Sequence, residues 1–151
     1  MRVIRLSITG AALAVLSSCA PHVVPTDTSA SVSLYAGGTF HGSSETVLFP
    51  DDVEQVSIRE PFSDKAKVRT RQLKPGAFIA ARDHVLAFEP PKRPEKVLEE
   101  CLDYGVDSVS YEGPDRQVNY ASDCPDAAIT GLMAGVGEII DAHDPEARNP
   151  E

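Results

Sequence analysis

Short apolar runs and period-two alternation mark the first half of the chain, and alternation sends successive side chains to opposite faces of a strand. Val32 to Ala36 alternates and runs into Gly37-Gly38, while Glu45 to Phe49 is strand-like and stops at Pro50. The two predict a first hairpin with a wide Gly-rich loop. Between Asp52 and Glu60, Val56 and Ile58 share one strand face and Val53 falls on the other, which predicts a third strand. Lys65, Lys67, Arg69 and Arg71 follow at spacing two; on a strand all four point to one side and leave Ala66, Val68 and Thr70 on the other. Beyond Pro75 the period changes. Phe78, Ala81, Val85 and Phe88 stand three and four apart, as on a helix that Pro75 opens and the Pro-rich run from Glu89 to Pro94 ends, with a hairpin turning at Arg82-Asp83 as the alternative. Val97, Leu98, Cys101 and Leu102 fit either a short helix closed by Gly105 or a strand.

The last third reads more sharply. Asp107 to Glu112 and Arg116 to Ala121 are strand-like and flank Gly113-Pro114-Asp115, a turn signal, so they predict a second hairpin. Pro125 then opens a helix, with Cys124 at its cap and Asp126 near the positive end of its dipole; Ile129, Leu132, Met133, Val136, Ile139 and Ile140 form one apolar stripe. From 142 the chain is polar and proline-broken and is expected to fray. The pattern predicts one α+β domain over 32–141, with a small antiparallel sheet of about five strands packed by the C-terminal helix and by the helix after Pro75.

The first residues follow a different logic. Arg2 and Arg5 precede an apolar run from Ile8 to Leu16 and then small residues, the pattern of a signal peptide. Its end, Leu16-Ser17-Ser18-Cys19, resembles the lipobox of bacterial lipoproteins. That resemblance implies that residues 1–18 are removed and that the thiol of Cys19 receives a diacylglycerol before the new amino terminus takes a further acyl chain such as palmitate. One acyl chain binds a membrane only marginally, whereas two or three hold a protein stably. Ala20 stands where an Asp would resemble an inner-membrane retention signal, so the resemblance further implies an outer membrane, with the domain facing the periplasm. Residues 19–31, with Pro21, Pro25 and several Ser and Thr, read as a lipidated tether.

Export changes how the rest of the sequence reads. Cys101 and Cys124 become an even pair in an oxidising compartment. They flank the second hairpin at nearly matching register, so a disulfide tying its base is geometrically reasonable. The whole chain carries 14 Lys plus Arg against 23 Asp plus Glu, and the residues from Cys19 onward keep 12 of those cations, a net of −11. Such a charge repels phosphate backbones and argues against nucleic acid as a partner. Within this acidic domain Lys65 to Lys74 gathers five cations, which suit a solvated edge strand or a docking stripe of Lys65, Lys67, Arg69 and Arg71 for an anionic partner.

Candidate chemistry is sparse. His22, His41, His84 and His143 show no metal-ligand spacing, no Ser stands in a GxSxG elbow, and no cofactor motif is present, so neither a metal nor a cofactor is expected. Gly37-Gly38-Thr39-Phe40-His41-Gly42 lacks the Lys of a phosphate-binding loop and reads as a hairpin loop. Its GG-x-F-x-G pattern, between an early strand and the next and followed by a hairpin and closing helix, resembles emfourin, a family of small bacterial metalloprotease inhibitors. The resemblance covers well under half the chain, and the Cys pair and lipid anchor depart from that family; it implies a contact loop of Gly38, Phe40 and His41. On the final helix Ala127, Gly131 and Ala134 leave a small, nearly uncharged face that suits close approach by another segment or chain. These features point to a non-catalytic binding or inhibitor-like module on the envelope with an envelope protein as partner; the alternatives are an envelope enzyme or a structural lipoprotein.

Overall fold

The computed structural model describes residues 23–38, 40–91, 101 and 105–146. Six strands and two helices follow in the order β1 (Ser31–Gly38), β2 (Gly42–Leu48), β3 (Val53–Arg59), β4 (Ala66–Gln72), α1 (Ala77–Ala87), β5 (Val106–Glu112), β6 (Gln117–Ser122) and α2 (Ala127–Ala142). The strands form one antiparallel sheet ordered β4-β3-β2-β1-β5-β6. The fold is α+β as expected, with six strands rather than about five. The basic run, read as a solvated edge strand, is β4 at one edge of the sheet and pairs with β3 from Val53↔Gln72 to Arg59↔Ala66. Leu16-Ser17-Ser18-Cys19, read as lipobox-like, and Val97, Leu98 and Leu102 lie outside the described residues.

Cross-strand partners share a face, so Val32, Leu48, Val109 and Tyr111 line one side of the sheet. There they pack with Phe78, Ala81 and Val85 of α1 and with Leu132, Val136 and Ile140 of α2 in one core. Phe78, Ala81 and Val85 of the first stripe and Ile129, Leu132, Val136 and Ile140 of the second are buried, with Met133 and Ile139 half-buried beside them; Phe88, read as part of the first stripe, falls past the end of α1 in extended backbone and is only half-buried. The helices do not cover the whole sheet. α1 lies on β1 and β5, and α2 on β5 and β6, so β3 and β4 extend beyond the helical layer.

Two helix starts are set by carboxylates. Asp126 caps α2, its Oδ1 accepting from Ala128 N at 2.8 Å and Ile129 N at 3.2 Å. Cys124 and Pro125 therefore precede the cap, because an Asp side chain satisfies the first orphan N–H groups and a bonded Cys does not. For α1 the cap comes from elsewhere in the chain. Asp52, in the β2–β3 turn, accepts from Gly76 N at 2.9 Å and Phe78 N at 2.8 Å, joining the start of the helix to the end of the hairpin.

The hairpin β5–β6 holds the register Glu112↔Gln117, and its base is closed by the Cys101–Cys124 disulfide with a Cα–Cα distance of 5.1 Å. While Ala30 packs against the core on the helical side, Val23 meets the edge strand β4 on the face opposite the helices. The Thr70 hydroxyl donates to Val23 O. Asp51 Oδ2 accepts from Thr26 N at 2.6 Å, Thr26 Oγ1 at 2.9 Å and Asp27 N at 3.3 Å. Burial pushes the Asp51 carboxyl up, but the Thr26 and Asp27 donors outweigh it and hold its pKa below the ordinary value. Val53 is buried on this face.

Glu54 points to the helical face and is buried, with the Arg71 guanidinium donating to it from Nε and to Asp144 from NH1. His143 O accepts from Lys74 N at 2.8 Å, so the end of α2 is tied to the end of β4. Arg71→Leu removes the cation from a carboxylate that stays inside. Breaking a buried pair costs about 3 to 5 kcal/mol, and the one-third exposure of Arg71 lowers the expected loss to about 2 kcal/mol. Chemical denaturation measures this; in Glu54→Leu/Arg71→Leu part of the loss should be recovered, since the buried carboxylate is gone and only the partly exposed Asp144 is left without its cation.

Candidate functional site

At the end of the sheet where β1 turns into β2 and β3 into β4, a cleft of about 690 Å³ opens between the two hairpin tips and the start of β5. Tyr35, Gly38, Phe40, Arg59, Phe62 and Val106 are among its lining residues. Close backbone approach builds it. Gly42 sits at φ 75°, and a Cβ there would stand 2.4 Å from Arg59 O; at Gly105, φ 97°, a Cβ would stand 2.4 Å from Gly37 O. Only glycine allows the hairpins and the entry to β5 to meet so closely.

Phe40 and Phe62 stand on adjacent tips with ring centroids 5.9 Å apart in an edge-to-face arrangement. They are 57% and 79% exposed, and Phe62 holds its ring from a backbone at φ 58°, a region that bulky residues rarely occupy. Two large apolar rings kept in water at a rigid end of a sheet are a surface that gains on being covered, at about 1.5 to 3 kcal/mol for a fully buried Phe. Charged groups ring them. Arg59, Glu60 and Asp64 line the cleft, and the Glu60 carboxyl, hydrogen-bonded by Lys67 and held close to its charge, titrates below the ordinary value.

The sequence singled out Gly38, Phe40 and His41 as one contact loop. Gly38 and Phe40 line the cleft; His41 is exposed beside it and is not among the lining residues. Phe62 was missed. The signal available was a Phe beside Pro61 between two strand-like runs, where no core position needs an aromatic ring.

The basic stripe divides. Lys67, Arg69 and Arg71 share the face of β4 that carries Glu54, Val56 and Ile58 on β3, while Lys65 precedes the strand. Arg71 is engaged by Glu54 and Asp144, and Lys67 pairs with the exposed Glu60. Arg69 and Lys65 have no ion-pair partner among the described residues.

Ala127, Gly131 and Ala134 are all exposed, and a Cβ at Gly131 meets nothing described within 4 Å. Close approach occurs one turn on, at Gly135, where a Cβ would stand 2.3 Å from His84 Nε2 of α1. Gly131→Leu is therefore expected to leave the melting temperature unchanged or raise it slightly, since Leu exceeds Gly in helix propensity by roughly 0.8 kcal/mol. A clear drop, or a changed oligomeric state, would mean that this face is covered.

No model of a known protein family matches the chain, and no curated protein matches it either. Among the described residues no three His, Cys, Asp or Glu side chains gather as a metal site would need, and no helix is long and apolar enough to cross a membrane.

Proposed function

We propose that this protein is a lipid-anchored module of the bacterial cell envelope that binds a protein partner without catalysis, through the cleft that carries Phe40 and Phe62. The exposed edge-to-face ring pair is the observation that carries the reading. Aromatic anchors beside a preformed concave surface, rimmed by charges, are the usual core of a protein interface. The anchor reading rests on the signal-like residues 1–18 and the lipobox ending in Cys19, and it sets the periplasmic face of the outer membrane as the place of action.

Phe40→Ser with Phe62→Ser tests the reading. Both rings lie outside the core, so the melting temperature should stay near wild type, while crosslinking in intact envelopes should lose a partner adduct that wild type forms. Losing two central aromatic anchors should weaken the complex by at least about 2 kcal/mol, roughly thirtyfold. Adducts that survive the double substitution at wild-type yield would place the contact elsewhere.

A further inference from the structure

The chain between Cys19 and the domain is short enough to hold Val23 close to an acylated Cys19. Four peptide units separate Cys19 from Val23, and a fully extended chain spans at most about 14 Å over four residues. Val23 is not loose: its carbonyl accepts from the hydroxyl of Thr70, on the edge strand β4. An acyl anchor on Cys19 therefore enters the membrane beside β4, away from β6 at the opposite edge of the sheet.

That edge has the side chains a headgroup layer would meet. Lys65, Lys67 and Arg69 stand exposed along it, and the helical layer meets β4 only towards its other end, where Arg71 reaches Asp144 just after α2. The exposed apolar side chains Val24, Ile58 and Val68 lie on or beside the same strand, Ile58 opposite Lys67 in register. The rest of the domain is strongly acidic: outside Lys65–Lys74 the residues from Cys19 onward carry 7 cations against 23 acids. An anionic surface therefore repels the domain as a whole and meets it most favourably at this edge, where Lys65 and Arg69 have no ion-pair partner among the described residues and Lys67 shares its charge with the exposed Glu60.

We infer that β4 is the membrane-facing edge of the protein, with Lys65, Lys67 and Arg69 seated on anionic phospholipid headgroups and Val24 and Val68 at the level of the interface. The inference rests on the acylation of Cys19 proposed above. It gives the cationic run a role beyond guarding a sheet edge against self-pairing. The hairpin-tip cleft then opens along the membrane surface, at the end of the strands rather than under the domain.

Footprinting of the acylated, signal-processed protein on vesicles tests the orientation. The protein is bound to vesicles of phosphatidylcholine, or of phosphatidylcholine with phosphatidylglycerol, and its lysines are modified with an amine-acylating reagent and read by mass spectrometry. On the anionic vesicles, modification of Lys65 and Lys67 should fall about fivefold relative to the neutral ones, the factor expected for about one cation's attraction to the surface. Lys74, two residues past β4 and close to the Asp144 carboxylate, should change less than Lys65. Protection should vanish at about 1 M salt, where screening acts within about 3 Å. In Lys67→Gln/Arg69→Gln the protection of Lys65 should be lost. Equal modification on both vesicle types, with the acylated protein bound, overturns the orientation and leaves the anchor reading standing. Self-association of the double variant with Lys65 still protected also overturns it, in favour of edge guarding. An unmodified mass at Cys19 and no vesicle binding would defeat the anchor reading instead, and this inference with it.

Discussion

Cys101→Ala/Cys124→Ala is expected to cost about 3 kcal/mol, a large fraction of the stability of a domain this small. The bond closes a loop across a sequence separation of 23, and the chain-entropy account gives about 3 kcal/mol for loops of that length. Its position makes the loss effective. Cys124 stands just before Asp126, the cap of α2, while Cys101 stands before β5, the strand that pairs with central β1. Opening the bond frees the entry to β5 from the start of the helix that covers it. Denaturant titration of wild type and the double variant measures the difference, and equal midpoints at equal slopes would show that the fold does not use the bond. Protein recovered from the envelope and alkylated without reductant should carry no adduct on either cysteine.

Cys19→Ser is expected to release the protein from membranes altogether. On the proposed acylation of Cys19, a serine hydroxyl does not replace the thiol as the lipid acceptor, so no diacylglycerol would be attached and the processing that depends on it would stop. Each buried methylene contributes about 0.8 kcal/mol, so losing two or three acyl chains changes the partition by many orders of magnitude, far more than any surface contact restores. Labelling with a radioactive or clickable fatty acid should mark wild type and not the variant, and fractionation should move the variant out of the membrane pellet. A variant that is unlabelled yet fully membrane-bound would mean that the domain holds the membrane by other means. Wild type without label would remove the lipobox reading.

Local periodicity was enough to specify much of the fold. The apolar stripes Phe78, Ala81, Val85 and Ile129, Leu132, Val136, Ile140 have helical spacing because a helix in a two-layer domain must present one apolar face, and they are the faces that packed. Gly113-Pro114-Asp115 fixed the second hairpin because its turn chemistry is local, and the Cys pair could be read from its symmetry about that turn. The lipobox-like Leu16-Ser17-Ser18-Cys19 is a local pattern as well, and the proposed anchor rests on it.

Interactions distant in sequence decided the rest. Nothing near Gly76 announces that Asp52 will cap α1, since the two meet only after the β2–β3 turn has folded back. The four basic residues look equivalent in a spacing-two run, but Glu54 and Asp144 engage Arg71 while Arg69 is left to solvent, because pairing with β3 sets which carboxylates lie beside each cation. The small residues of α2 likewise look alike; the crossing with α1 brings His84 to Gly135 and leaves Gly131 open. Phe40 and Phe62 are 22 positions apart and acquire a joint role only where antiparallel pairing puts their two hairpin tips at one end of the sheet. A repeat along the chain reports which face of an element is apolar, whereas a site depends on which elements become neighbours, and that is settled by the registry of the whole sheet.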